Sequence, residues 1–598
     1  MTKRDSDVRL AAFALTALPF LLAYNVPPSP TVFNQFLSVA AWGCAGMVIC
    51  PASRPKRSWP LHAAFLALLA GVQWSWLFGH LPAAIGLSTV LLLMVAMLTA
   101  WAGTDVAARP NGLNVFCAFA WAVLWTGLLS VGVAWVQVFL PAWANGDLIA
   151  QSGLPGRAVG NLRQPNHLCS LLLWAVIAAV ALFELGRLRW RWACAAVLAL
   201  VFAVELSASR TGAAALLLLA LWGALGRGMS MRARCLLMAT PLLYALSYGA
   251  MLGWGEFMSQ AFGAEARLAS AGQGIESPNT RGRIWANALA LIAQSPWSGV
   301  GFGEFNLAWS LTEFPGRPTA FFDHTHNLPL QLAVELGLPL AALVMGLLLL
   351  ALWVAWRRSH AAPGAQGVAA MSATMMVLMI GLHSLVEYPL WYAYFLLPTV
   401  FAWGYALGTP GIESDARHAV AHAPPPGPLA PGRLIGLLIV MGTAVAMVDY
   451  LRVVAIYAPG ASAAPLAERI QRGQHSLLFA YQGDYASATS GDTEANVALA
   501  FRRAPHFLLD TRLMIAWAQH LAATGQIDLA RSLGARLREF RNADADEFLA
   551  VCKGPESAAH FQCQPPQTPH AWREFLGPQA HQPMPAPGKA ASPASATQ

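Results

Sequence analysis

From about residue 10 to residue 456 the chain alternates long apolar runs with short polar connections, and only beyond that point does it take on the mixed pattern of a soluble protein. A helix needs about 20 apolar residues to cross a bilayer. About thirteen such runs are legible, at roughly 10–24, 33–50, 61–78, 82–102, 113–140, 167–186, 191–207, 211–226, 234–253, 328–356, 369–387, 389–407 and 434–456. They predict an all-α integral membrane protein, a polytopic bundle of about thirteen transmembrane helices. The connection 254–327 is far longer than the others and has its own pattern, with apolar residues at helical spacing from Arg283 to Ile292. That helix is expected to break at Ser295-Pro-Trp-Ser-Gly299 and Gly301-Phe-Gly303, where proline and glycine interrupt helical geometry. After 456, helical periodicity returns at 492–503, 508–524 and 527–540, in pairs reminiscent of tetratricopeptide packing.

Composition agrees and adds a direction. Only 11% of the 598 residues are charged and 57% are hydrophobic, whereas about a quarter of an ordinary soluble domain is charged. The net charge of +8 does not point to nucleic acid, because the basic residues gather in short connections: Arg54-Pro-Lys-Arg57, Arg187-Leu-Arg-Trp-Arg191, Arg227 to Arg234 and Arg357-Arg358. That distribution follows the positive-inside rule. An N-terminus in the cytoplasm puts all of them on one side and sends 25–32, 141–166, 207–210, 254–327, 383–389 and the C-terminal region to the other. In a bacterium this is a multi-pass inner-membrane protein with those segments in the periplasm.

The first run follows a charged start, Lys3 to Arg9, and ends in Tyr24-Asn-Val-Pro-Pro28 without a small-residue cleavage site, so it is expected to remain as the first span. Six cysteines fall in or beside apolar runs; Cys552 and Cys563 lie in the polar C-terminal region and can pair if it is outside the cytoplasm. The expected organisation is an N-terminal transmembrane bundle (1–253), a large periplasmic loop (254–327), further transmembrane helices (328–456), a soluble helical domain (457–565) and a disordered tail (566–598). Within the third part, the Pro-, Ala- and His-rich stretch 408–432, with His418 and His422, reads as a cytoplasmic linker.

Polar chemistry concentrates on the outer face. Asp323, His324, His326 and Asn327 crowd into five residues before the apolar run that starts at 328, and polar groups at the mouth of a membrane helix carry a desolvation cost that usually marks a site. Arg210, Arg281 and Arg283 place positive charge on the face where a membrane protein avoids it, which points to a bound anion, a pyrophosphate being the natural match for guanidinium forks. Asn161, Gln164, Asn166 and His167 form a polar loop suited to sugar hydroxyls, since amides both donate and accept. Glu387 sits among aromatic residues in His383-Ser-Leu-Val-Glu-Tyr-Pro-Leu-Trp391, which can equally be an interfacial belt. No carboxylate-based metal site stands out on the outer face, and no metal or other cofactor is expected.

Gly160-Asn-Leu-Arg-Gln-Pro-Asn-His167, Ser209-Arg-Thr-Gly212, Arg281-x-x-x-Trp285, Gly299-Val-Gly-Phe-Gly303, His324-x-His-Asn327 with Glu335-Leu-Gly337, and the His383 to Trp391 stretch together resemble the bacterial protein O-oligosaccharyltransferases. These protein glycosylation ligases belong with the O-antigen ligases and polymerases. Tyr24-Asn25 departs from the family's N-terminal signature, and no chemistry is assigned there. The resemblance implies transfer of a preassembled glycan, en bloc, from undecaprenyl pyrophosphate to a serine or threonine of a periplasmic, pilin-like protein, without a nucleotide sugar or an essential metal. It maps a catalytic histidine onto His326 and functional arginines onto Arg210 and Arg281. An imidazole can take the acceptor's proton at neutral pH, and arginines can stabilise the leaving pyrophosphate. On this reading His326 and His324 are catalytic, Arg210, Arg281 and Arg283 bind the donor pyrophosphate, and Asn161, Gln164, Asn166, His167, Asn327 and Glu387 bind glycan or acceptor. The alternatives are an O-antigen ligase acting on the lipid A core, an O-antigen polymerase, or a non-enzymatic lipid-glycan flippase.

Overall fold

The computed structural model describes residues 13–49, 58–226, 228–259, 262–265, 278–318, 321–410, 430–490 and 494–577. The 408–432 linker with His418 and His422, and the first arginine-rich connection at 54–57, fall largely or wholly outside them. Among the described residues every regular element is helical. The protein is a multi-pass membrane protein: among the described residues eight helices are long and apolar enough to cross a bilayer, nine if Met231–Met238 and Thr240–Met258, bent by 40° at their junction, act as one. A helix satisfies its own backbone where lipid offers no partner, which is why the apolar runs take this form. The remaining runs also fold as helices, over 13–21 among the described residues and over Trp190–Leu206, Arg210–Leu225 and Ala393–Gly408, these last three 17, 16 and 16 residues long.

Pro165–Glu184 is the axis of the bundle, with 94% of its apolar window buried by its neighbours. Elsewhere small residues let backbones touch. Ala83–Ala107 and Ala393–Gly408 meet so closely that a Cβ at Gly404 would lie 2.0 Å from Ala100 O and one at Gly103 2.2 Å from Phe401 O. Without a hydrophobic drive between helices in lipid, this close van der Waals contact is what holds them.

The 254–327 connection forms the expected helix, Pro278–Gln294, which ends immediately before Ser295-Pro296. A second, Phe305–Leu311, follows the glycine pair. The next helix, Leu328–Ala361, is broken at Gly337 (φ 75°, ψ 162°) with Pro339 just beyond. Pro339 has no N–H for Glu335 O, and Leu338 N turns away to Pro296 O at 2.8 Å. The two carbonyls left over are taken by the connection itself, Val334 O by Val300 N (2.8 Å) and Glu335 O by Gly301 N (3.0 Å). The break thus splices the loop to the helix and leaves Leu328–Leu336 as a separate platform.

The C-terminal unit adds Leu466–Gln474 and Ala480–Ser490 to the expected helices Glu494–Arg503, Thr511–Ala523 and Ile527–Phe540, and carries a Cys552–Cys563 disulfide. It does not stand apart from the 254–327 connection. Ile284, Leu291, Phe305 and Trp309 share one hydrophobic core with Phe501, Leu513, Trp517 and Phe540. The tail expectation is corrected over 566–577: Trp572 and Phe575, three residues apart on one helical turn, are 5% and 0% exposed and pack into that same core. Two large aromatic residues outweigh the Pro- and Gln-rich composition around them.

Candidate active site

The site is built where Leu328–Ala361 begins, and its first step is local. Asn327 Oδ1 caps the helix by accepting from Leu330 N (3.0 Å), while its Nδ2 donates to Leu385 O (3.1 Å) and Leu328 N donates to Ser384 O (2.8 Å). The cap therefore pins the histidine segment to the turn that holds Glu387. Thr325, between the two histidines, is held at both ends of its peptide, its N–H by Gln331 Oε1 (2.8 Å) and its carbonyl by Trp285 Nε1 (2.9 Å). His326 is left in the left-handed backbone region, φ 54°, which a non-glycine residue adopts only where its surroundings over-determine it.

Glu387, 8% exposed, is the hub. Its Oε2 meets His326 Nδ1 at 2.9 Å, and its Oε1 accepts from Arg281 Nη2 at 2.9 Å and from Asn166 Nδ2 at 3.1 Å. Burial alone would raise this carboxyl; the hydrogen bond from His326 and the charges of His326 and Arg281 outweigh it and hold the group down to about 2. With Nδ1 donating to a carboxylate, the imidazole presents Nε2 as its basic nitrogen. The guanidinium of Arg281 has five N–H groups, and its side chain is 38% exposed. One carboxylate thus holds an imidazole and a guanidinium side by side.

His324 plays a different part. Its ring lies flat on Tyr388, 4.2 Å between centroids and 11° between planes, and meets Trp391 edge-on at 5.0 Å, with Nδ1 3.1 Å from Asp323 Oδ1. Of the polar loop, only Asn166 reaches Glu387; its Oδ1 accepts from Ser209 Oγ at 2.7 Å, tying the start of Arg210–Leu225 to the cluster. Gln164 caps Pro165–Glu184 through His167 N, and the His167 ring is buried against Tyr392 and Phe395. Asn161 is 5% exposed and spends its amide on Ala150 N, Leu21 O and Leu148 O. Arg210 is exposed at the first position of its helix. Arg283, two residues beyond Arg281 and so on another face of the same helix, is also exposed. Among the described residues no group of three or more His, Cys, Asp or Glu side chains is arranged to hold a metal ion.

Ser209 and Trp285 were not singled out from the sequence as site residues in their own right. Both stand in family-like motifs, Ser209-Arg-Thr-Gly212 and Arg281-x-x-x-Trp285, but neither residue type announces a hydrogen-bonding role by spacing alone. Asn25, where the N-terminal stretch departs from the family signature, is a structural knot: Oδ1 accepts from Phe33 N (2.8 Å) and Nδ2 donates to Asn34 Oδ1 (2.7 Å).

Comparison with known proteins gives three family matches in succession along the chain. The protein glycosylation ligase family matches residues 158–183, the polar loop and the helix after it. The O-antigen ligase family matches 194–345, which holds Arg210, Arg281, His324 and His326. The family described as virulence factor membrane-bound polymerase, C-terminal, matches 371–550, from before Glu387 into the C-terminal unit. In Acinetobacter baylyi, a general O-oligosaccharyltransferase is 26% identical over 422 residues, 66% of this chain and 70% of that protein. A ComP-specific O-oligosaccharyltransferase of the same organism is 24% identical over 270 residues, 45% and 47% of the two chains. With the site's residues distributed in order over these matches, the chain belongs to the superfamily of O-antigen ligases and protein glycosylation ligases.

Proposed function

We propose that this protein is a glycosyltransferase that moves a preassembled oligosaccharide en bloc from undecaprenyl pyrophosphate to serine or threonine hydroxyls of periplasmic, pilin-like proteins. The observation that carries the chemistry is the shared carboxylate, with His326 Nδ1 on one oxygen of Glu387 and Arg281 on the other. The observation that favours a protein acceptor is the pair of relatives named as O-oligosaccharyltransferases. His326 Nε2 takes the proton of the acceptor hydroxyl as its oxygen attacks the anomeric carbon. The bond from that carbon to the pyrophosphate breaks on the opposite face, which inverts the centre, and Arg281 with Arg210 meets the charge that develops on the leaving group. Glu387 orients the imidazole and keeps Arg281 beside it, so it acts as a positioning residue rather than as a glycan contact.

In this reading the shorter helices also span, giving thirteen crossings from a cytoplasmic N-terminus, and the site and C-terminal unit face the periplasm. The test uses the purified full-length protein with a lipid-linked oligosaccharide and an acceptor polypeptide. Intact mass should rise by one whole glycan, and His326→Ala should lower the rate by about 10²–10⁴-fold, the usual contribution of a general base. Wild-type transfer by His326→Ala sinks the assignment of the base. Lipopolysaccharide lacking O-antigen in cells without the gene, with no change in protein mass, would favour ligation to lipid core instead.

A further inference from the structure

The histidine segment is held by side chains from several elements, and one of them leads out of the site. Asn306, on Phe305–Leu311, is 5% exposed. Its Nδ2 donates to Phe322 O at 3.0 Å, and its Oδ1 accepts from Leu509 N at 2.7 Å. Phe322 immediately precedes Asp323 and stands four residues before His326. Leu509 belongs to the C-terminal unit, in a turn fixed to the same short helix by two further contacts. His506 Nδ1 meets Glu304 Oε1 at 2.7 Å with both side chains 2% exposed, and Ser310 Oγ donates to Leu509 O at 3.3 Å. Around this relay Phe321 and Trp309 press on Phe540 of the C-terminal unit, with centroids 6.2 and 5.6 Å apart. A buried amide whose donor and acceptor ends are both used has a single orientation, because rotating it would set N–H against N–H and oxygen against oxygen.

We infer that Asn306 is a positioning residue for the transfer reaction, and that through it the 506–509 turn of the C-terminal unit is part of the active site. The inference rests on His326 as the base. His326 occupies a backbone conformation its own side chain disfavours, so the peptide upstream must be held for Nδ1 to stay on Glu387. Releasing Phe322 O lets the segment relax and moves the imidazole off the carboxylate. Arg281 and Arg210 stand on other helices and keep their places, so donor binding is left intact.

The experiment compares full-length wild type with Asn306→Ala and Asn306→Asp. The aspartate keeps an acceptor for Leu509 N and loses the donor to Phe322 O, so it breaks only the inward half of the relay. Both variants should lose about 10- to 100-fold in kcat while the KM values for lipid-linked donor and for acceptor stay within about twofold. Should Asn306→Ala fail to fold, judged by thermal unfolding and gel filtration in detergent, the aspartate variant carries the test alone. A wild-type kcat in Asn306→Asp overturns the inference, as does a raised KM with kcat unchanged. His326→Ala separates the two readings: if that variant is dead while Asn306→Asp is fully active, only the coupling is wrong; if His326→Ala transfers glycan normally, the base assignment beneath it falls.

Discussion

At the scale of single residues, Glu387 is where sequence reading and geometry part. His326 and Arg281 were legible because each stands in a motif that resembles the protein O-oligosaccharyltransferases, and because imidazole and guanidinium carry recognisable chemistry at the mouth of a membrane helix. A lone glutamate among aromatics has many, and only the fold brings it to 2.9 Å from both. Glu387→Gln keeps the shape and removes the charge, so kcat is expected to fall about 10- to 100-fold, the scale of a hydrogen bond to a charged partner. The carboxyl is depressed from 4.5 to about 2. Its stabilising effect is therefore complete above about 4.5 and disappears as pH falls toward 2. Thermal unfolding in detergent should show the gap between wild type and Glu387→Gln narrowing once pH drops below 4.5, and an activity limb at higher pH belongs to another group.

At the scale of elements, the break in Leu328–Ala361 makes the platform. Glycine and proline at 337 and 339 were visible in the sequence, yet the apolar run reads as one span, because hydropathy does not register the direction of a helix. The splice depends on backbones that touch: a Cβ at Gly337 would lie 2.3 Å from Trp297 O, and one at Gly299 2.4 Å from Glu335 O. Gly337 also needs φ 75°. Gly337→Ala is expected to destabilise the protein by about 1–3 kcal/mol, the cost of such a conformation for an L-residue, and to lower transfer with it. A thermal midpoint equal to wild type would show that the splice tolerates a side chain.

At the scale of the whole molecule, the C-terminal unit closes over the loop, and a strap at its end helps to fasten it. His570 lies between Glu574 Oε2 (2.7 Å) and Asp528 Oδ2 (2.9 Å), next to the buried Trp572 and Phe575. Burial works against the charged imidazole, but the hydrogen bonds and charges of Glu574 and Asp528 outweigh it and raise the group above 6.5. That contribution is fully present below 6.5 and fades as pH climbs through the raised value. His570→Ala should accordingly lower the thermal midpoint more at pH 5.5 than at pH 8.5. An equal loss at both would mean the strap is held by its aromatic residues alone.

What the amino-acid sequence determined by itself was what depends on local composition: the apolar runs, their helical form, and the residue types able to move a proton or hold a phosphate. Membranes enforce that legibility, since an unpaired backbone in lipid is too costly for any fold to evade. The tertiary structure alone decided which polar groups meet. It turned Asn161 toward backbone and Asn166 toward Glu387, set Arg283 on a different helix face from Arg281, and drew residues more than 200 positions apart, such as Glu304 and His506, into one core. Those choices come from long-range packing, whose partners a periodic pattern cannot name.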